Sequence, residues 1–300
     1  MRTDALKAGG AGRSLSLDGP LWRRLARWGS LYGPEWFVRF SPPFIGLVVC
    51  LLAGAPRRQI RDTLRLVRGP RGHWRDAMDV LRTFSTYASC LAETLSADSG
   101  DRRLPEVVVH GEEHLDRALA GGRGLVIVTA HTAGWEAAGS CLRRRRGVPV
   151  MIVEEPEADA VAAMIQDAAR GAYGVVVTHV GRDPLSALPL VRHLRGGGIV
   201  ALQLDRVRRG MSTVPVKMFG SPALVPEGPA RLCMLTGAAM VPAFASRVGF
   251  RRYEVDVGVP ILLSRTAVAA DVAVAAQRAA DALERFVRAH PTQWFHFRGG

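Results

Sequence analysis

The sequence predicts an α/β fold: a mixed, largely parallel central sheet flanked by helices, preceded by a helical, membrane-facing extension. Three observations carry that reading. Short β-branched runs alternate with helical stretches from residue 106 onward, which is how parallel sheets are connected. Residues 57–96 are instead helical in period throughout. At 48% hydrophobic over 300 residues, the chain can bury a sizeable core without being split into separate folding units.

The elements follow in order. Residues 1–20 are rich in Gly, Ser and Arg and are expected to be a mobile tail without a cleavable leader. Residues 21–100 form the helical section. Its longest charge-free run, Phe40 to Ala55, is 16 residues and contains Pro42–Pro43. A spanning helix needs about 20 apolar residues, so an interfacial segment fits better than a clean transmembrane pass. Trp22, Trp28 and Trp36 interleave with arginines there, and indoles and guanidiniums both settle at a lipid headgroup boundary. A buried helical hairpin covering the core is the plainer alternative. RRQIRDTLRLVRG and HWRDAMDVLRTFSTYASCLAETLS then read as helices, and the polar stretch Asp98 to Arg103 closes the section.

Residues 101–300 are expected to form the catalytic domain. Strands are expected at Glu106–Val109, Leu125–Ala130, Val148–Val153, Val175–Thr178, Ile199–Leu204, Ala239–Phe244 and Tyr253–Val259. EEHLDRALA, WEAAGSCLRRR, ADAVAAMIQDAARG and DPLSALPLVRHLRGGG supply helices between them, and Val268 to His290 closes the chain. Gly196, Gly197 and Gly198 end a helix before a strand.

The charge balance of 40 basic against 27 acidic residues gives +13, so an acidic partner is expected. Aromatic residues do not alternate with the basic ones and no zinc-finger spacing occurs, which argues against nucleic acid. Cys50, Cys90, Cys141 and Cys233 form no CxxC pair and read as reduced core thiols of a cytoplasmic protein.

The run VIVTAHTAGWE poses the functional question. On one helix, residues five apart point about 140° away from each other, so His131 and Glu136 would not meet. With His131 ending a strand and Glu136 in the first turn of the next helix, Thr132, Ala133 and Gly134 let the chain fold back. The imidazole then serves as general base and Glu136 fixes its tautomer, at the strand ends where open α/β sheets bind ligands. The nearby helix N-terminus would support a developing negative charge. A core histidine bonded to a carbonyl, with Glu136 on a solvated face, gives the same spacing. No GxSxG elbow is present, so direct attack by the second substrate is simpler than a covalent intermediate.

The stretch VVVHGEEHLDRALAGGRGLVIVTAHTAGWEAAG resembles the first block of the bacterial lipid A lauroyl/myristoyl acyltransferases, within the lysophospholipid acyltransferase superfamily. It is also similar to the phosphatidylinositol mannoside acyltransferases. RHLRGGGIVALQLDR, VPVKMFGSPALVPEGPARLCMLTGAAMVPAF and HPTQWFHFR continue the resemblance in the family's order over residues 105–298. It implies a glycerolipid acyltransferase-like fold and transfer of a fatty acyl group from an acyl carrier protein or coenzyme A thioester to a hydroxyl or amine of a lipid or glycolipid. It also implies association with anionic lipid at the cytoplasmic face of the bacterial inner membrane, peripherally or through one N-terminal segment.

Residue by residue, His131 and Glu136 match the family's H-x4-(D/E) motif, as general base and orienting carboxylate. Asp205 and Arg206 match its Asp-Arg or Asp-Gln position, where the guanidinium is expected to bind the donor's phosphates, the acceptor headgroup or the thioester oxygen, a solvated loop being the plainer alternative; Arg208 and Arg209 are left as phosphate-attracting surface. Trp135, Phe219 and Gly220 match positions that shape the substrate site. Glu227, Gly228 and Arg231 resemble the Glu-Gly-x-x-Arg phosphate motif of glycerolipid acyltransferases. The lipid A group usually lacks that glutamate, and it has bulkier residues where Ala133 stands. Both departures bear on the acceptor.

The remaining histidines read as surface or packing residues, and Trp294, Phe295 and Phe297 as an aromatic tail docked on the core. No metal or other cofactor is expected, because a thioester is already activated. Two other readings remain: an acyltransferase acting on a sugar, amine or secondary metabolite, and an inactive lipid-binding protein.

Overall fold

The computed structural model describes residues 28–30, 32–96, 104–154, 176–179, 184–207 and 210–296. The expected mobile tail, Trp22, the helix at ADAVAAMIQDAARG, Arg208 and Arg209 lie outside them. So does the junction expected at residue 100.

Among the described residues, seven strands form one sheet: β1 (Glu106–His110), β2 (Leu125–Thr129), β3 (Val150–Glu154), β4 (Val176–His179), β5 (Ile199–Gln203), β8 (Ala239–Gly249) and β9 (Arg252–Val257). Their order is β1-β9-β8-β2-β5-β3-β4. Every adjacent pair is parallel except the antiparallel β8–β9 hairpin. The mixed, largely parallel sheet anticipated from the alternation is therefore the one present, with each expected strand in it.

β2 sits in the middle and is buried along its whole length. Its alternate residues face opposite layers. Val126 and Val128 join one core cluster with α6 (Leu188–Arg195), α7 (Gly228–Thr236) and α8 (Ala269–Ala289), through Leu194, Cys233 and Leu283. Leu125 and Ile127 join another with α4 (Glu112–Leu119) and α5 (Trp135–Arg146), through Leu115 and Ala137.

The structure adds a hairpin that the sequence reading did not separate out, β6 (Thr213–Met218) and β7 (Ser221–Pro226). Pro215, Pro222 and Pro226 obscure its strand pattern, and as a two-stranded unit it can carry them where a central strand would lose ladder bonds. Its two-residue turn is Phe219–Gly220, with φ of 50° and 78°. The hairpin lies along α8, where the Phe219 amide donates to Glu284 Oε2 at 2.6 Å and the Lys217 amide to Gln277 Oε1 at 2.8 Å.

The helices α1 (Glu35–Leu52), α2 (Gly54–Arg68) and α3 (His73–Leu95) lie ahead of the sheet in the chain. α1 buries one stripe, Val38, Pro42, Gly46 and Cys50, at a spacing of four. Gly46 allows the contact with α3: a Cβ there would lie 2.7 Å from Ser85 Cα. The opposite face is open, with Trp36 65% and Phe44 70% exposed. α1 is long and apolar enough to cross a membrane by length and composition.

α3 is fastened to the sheet by a buried carboxylate. Glu93 accepts from Arg247 Nε and Nη2 at 2.9 and 2.7 Å, the Arg251 amide at 3.0 Å and Tyr253 Oη at 2.5 Å. Arg251 in turn pairs with Glu35, at the start of α1, at 3.2 Å.

Candidate active site

The backbone at the tip of β2 explains why that strand stops on a histidine. The Thr132 amide bonds back to the Ala130 carbonyl at 2.7 Å, so His131 is the central residue of a three-residue turn. Gly134 then takes φ +84°, and a Cβ there would lie 2.0 Å from the Tyr253 ring. The small residues expected to make this turn do so, and Gly134 is needed twice, for its dihedral and for its lack of a side chain.

The β2–β5 ladder is parallel and in register, ending with Thr129 opposite Gln203. Two residues further along each strand stand His131 and Asp205. His131 Nδ1 lies 2.9 Å from Asp205 Oδ1, and the His131 backbone amide donates to Oδ2 at 3.2 Å. Trp294 Nε1 donates to the same Oδ2 at 2.9 Å.

Asp205 is fully buried, and burial alone would raise its pKa. The charge and hydrogen bond of His131, the Trp294 indole and the nearby Arg206 outweigh that and hold it at about 2. An ionised carboxylate only accepts hydrogen bonds, so the proton between the two side chains belongs to Nδ1. The basic lone pair of the neutral ring is therefore on Nε2, and the ring keeps 20% of its surface exposed.

The carboxylate on Nδ1 is thus Asp205, in the place that the sequence reading gave to Glu136. Glu136 does lie in the first turn of α5, where the helix dipole favours its charge, and it accepts from Thr94 Oγ1 at 2.8 Å, joining α5 to the end of α3.

The C-terminal segment crosses the tip of β2 as a short antiparallel addition. The Ala133 amide donates to the Gln293 carbonyl at 3.0 Å and the Phe295 amide to the His131 carbonyl at 2.7 Å, with Thr132 opposite Trp294. Of the expected aromatic tail, Trp294 and Phe295 dock on the core, being 7% and 4% exposed, and Phe297 lies outside the described residues. Its polar contribution to the site was not foreseen. Arg206 Nη2 donates to the Phe295 carbonyl at 3.1 Å, clamping that segment from the Asp205 side.

Phe219 packs against Trp294 at 5.8 Å between ring centroids, and the Arg288 guanidinium lies 5.5 Å from the centre of the Phe219 ring. Glu227 and Arg231 pair with each other at 2.8 Å across the first turn of α7, with the arginine 62% exposed. Gly228 is the first residue of α7.

On the α4–α5 side of the sheet lies an apolar pocket. Ile127, Ala201, Ala243 and Val255 form its floor, and Leu115, Ala138 and Leu142 its roof. Thr129 and Trp135, just before and after the His131 turn, are also in its wall, so Trp135 lines this pocket.

The sequence profile of the bacterial lipid A biosynthesis acyltransferases matches residues 32–299. This chain belongs to that family. Similar proteins include phosphatidylinositol mannoside acyltransferases from two strains of Mycobacterium tuberculosis. One is 32% identical over 193 residues and the other 33% over 196, covering 62% of this chain and 57% of each relative. A third, from Mycolicibacterium smegmatis, is 26% identical over 251 residues, covering 80% of this chain and 78% of that relative. The chain thus matches a little over half the length of the two tuberculosis proteins.

Proposed function

We propose that this protein transfers a fatty acyl group from a thioester to a hydroxyl or amine of a lipid or glycolipid acceptor, with His131 as general base and Asp205 as its orienting carboxylate. The observation that carries this reading is the His131–Asp205 pair at the tips of two central parallel strands, beside an apolar pocket, in a chain of this family. Nε2 takes the acceptor proton as the acceptor atom attacks the thioester carbonyl. Asp205 stabilises the imidazolium that forms. Collapse of the tetrahedral intermediate breaks the carbon–sulfur bond, and the imidazolium returns its proton to the departing thiolate. Glu136 supports the turn from α5 through its contact with Thr94.

The pocket under α5 suits an acyl chain, since its lining is almost wholly apolar and its walls include residues on both sides of His131. The net charge of +13 suits an acidic acyl carrier protein as donor and the anionic lipid of the cytoplasmic leaflet as support. α1 packs on α3 along one stripe and exposes the other. It therefore lies in the membrane interface with Trp36, Phe40 and Phe44 toward lipid, rather than crossing.

Comparing the lipids of cells with the protein, without it, and with His131→Ala by mass spectrometry tests the proposal. A lipid one acyl chain heavier, present only with the intact protein, supports it. Identical lipid profiles in all three, with the protein expressed and folded, contradict it.

A further inference from the structure

The relay described above uses two side chains, yet Asp205 has a third close partner. Oδ1 is taken by the imidazole, while Oδ2 receives two N–H groups, from the His131 backbone at 3.2 Å and from the Trp294 indole at 2.9 Å. The carboxylate is 0% exposed, so these donors replace the water it would have at a surface.

We propose that Trp294 is a positioning residue of the catalytic relay: its indole N–H fixes the rotation of the Asp205 carboxylate, so that Oδ1 meets Nδ1 of His131. This rests on the His131–Asp205 reading and extends it to the C-terminal segment. An indole suits the task chemically, because it donates only and does not titrate, so it never competes for the proton shared with His131. Its own placement is overdetermined. The backbone bridge to Thr132 sets its height above the turn, the Phe219 ring lies against it at 5.8 Å, and the His296 ring lies on it at 4.9 Å. The segment is thereby registered to the same turn that carries His131. Removing the N–H leaves one oxygen of a buried charge short of a donor, and the carboxylate is free to rotate off the imidazole.

Packing and hydrogen bonding are separated by replacing Trp294 with benzothienylalanine, which keeps the bicyclic shape and puts sulfur where the N–H was. Trp294→Phe is a second, simpler variant. Two readouts apply to the full-length protein: ring-nitrogen NMR of His131, which reports which nitrogen holds the proton, and thiol release from palmitoyl-coenzyme A. A hydrogen bond to a charged group corresponds to roughly a tenfold effect or more. The inference expects a mixture of His131 tautomers in both variants. It also expects kcat lowered by about tenfold or more, with KM within about threefold and melting of the benzothienylalanine protein close to the parent. Asp205→Asn is measured in parallel. If the Asn variant keeps the parent tautomer and turnover, the two-residue relay is wrong and this inference falls with it. If the Asn variant is impaired while the benzothienylalanine protein matches the parent in both readouts, the relay stands and the role of Trp294 is overturned.

Discussion

His131 and Asp205 each stand two residues beyond the last paired position of adjacent parallel strands, Thr129 opposite Gln203. In a parallel ladder held in register, equal steps past the end bring side chains level. The 2.9 Å contact between Nδ1 and Oδ1 is therefore a consequence of strand pairing. An imidazole held this way inherits the rigidity of the sheet centre, where β2 is fully buried.

That contact makes part of the stability depend on acid. The folded pKa of Asp205 is about 2, below its ordinary value of 3.8. Because the folded value is depressed, the stabilisation is complete above about pH 4 and is lost as pH falls toward 2, where the unfolded chain binds the extra proton. The difference amounts to about 2 kcal/mol. Denaturant melts between pH 5 and 2 are expected to show a steeper slope in the parent than in Asp205→Asn, which keeps only the part due to other depressed carboxylates such as Asp76 and Glu284. Parallel slopes in the two proteins would remove the assigned ionisation.

Glu93 holds α3 to the β8–β9 hairpin, and its loss deprives the Arg247 guanidinium of the carboxylate to which both Nε and Nη2 donate. Truncating one partner of a buried pair costs about 3–5 kcal/mol. Glu93→Ala is expected to lower the denaturation midpoint accordingly. It should also loosen the seat of Gly134, whose close neighbour Tyr253 bonds the same carboxylate. A variant within about 1 kcal/mol of the parent would mean that water repairs the network.

The outward face of α1 is expected to bind lipid. Trp36→Glu and Phe44→Glu replace side chains that are 65% and 70% exposed, so the melting temperature should hardly move. Flotation with anionic vesicles should fall by about tenfold or more for each, as expected from withdrawing a large apolar side chain from a lipid phase. Unchanged flotation would place the lipid contact elsewhere.

Ala201 lines the floor of the apolar pocket, on the strand that carries Asp205. Ala201→Phe fills part of that space at a cost of about 1–3 kcal/mol. Competition between long and short acyl thioesters should shift toward the shorter chain. An unaltered preference would argue that the chain lies outside this pocket.

Much of this architecture was legible in the sequence because it is local. β-branched runs and helical periods located all seven strands of the sheet, and VIVTAHTAGWE located the turn at His131. What eluded the sequence is what depends on who pairs with whom. Asp205 could be placed beside His131 only once β2 and β5 were known to be neighbours in register, 74 residues apart. The spacing argument favoured Glu136 because it is near in the chain, whereas the carboxylate on the imidazole arrives through the ladder. Trp294 looked like a packing aromatic, and its N–H on Asp205 needed a contact across 89 residues. The β6–β7 hairpin was hidden by its prolines.

The central claim is that Asp205, more than Glu136, makes His131 a base. Single-turnover transfer from an acyl thioester should be compared for Asp205→Asn and Glu136→Gln, each with the parent protein and His131→Ala as limits. The account expects Asp205→Asn to fall by roughly 10³-fold or more, approaching His131→Ala. It expects Glu136→Gln, whose amide oxygen still accepts from Thr94, to stay within about tenfold. Near-parent transfer by Asp205→Asn together with collapse in Glu136→Gln would contradict it.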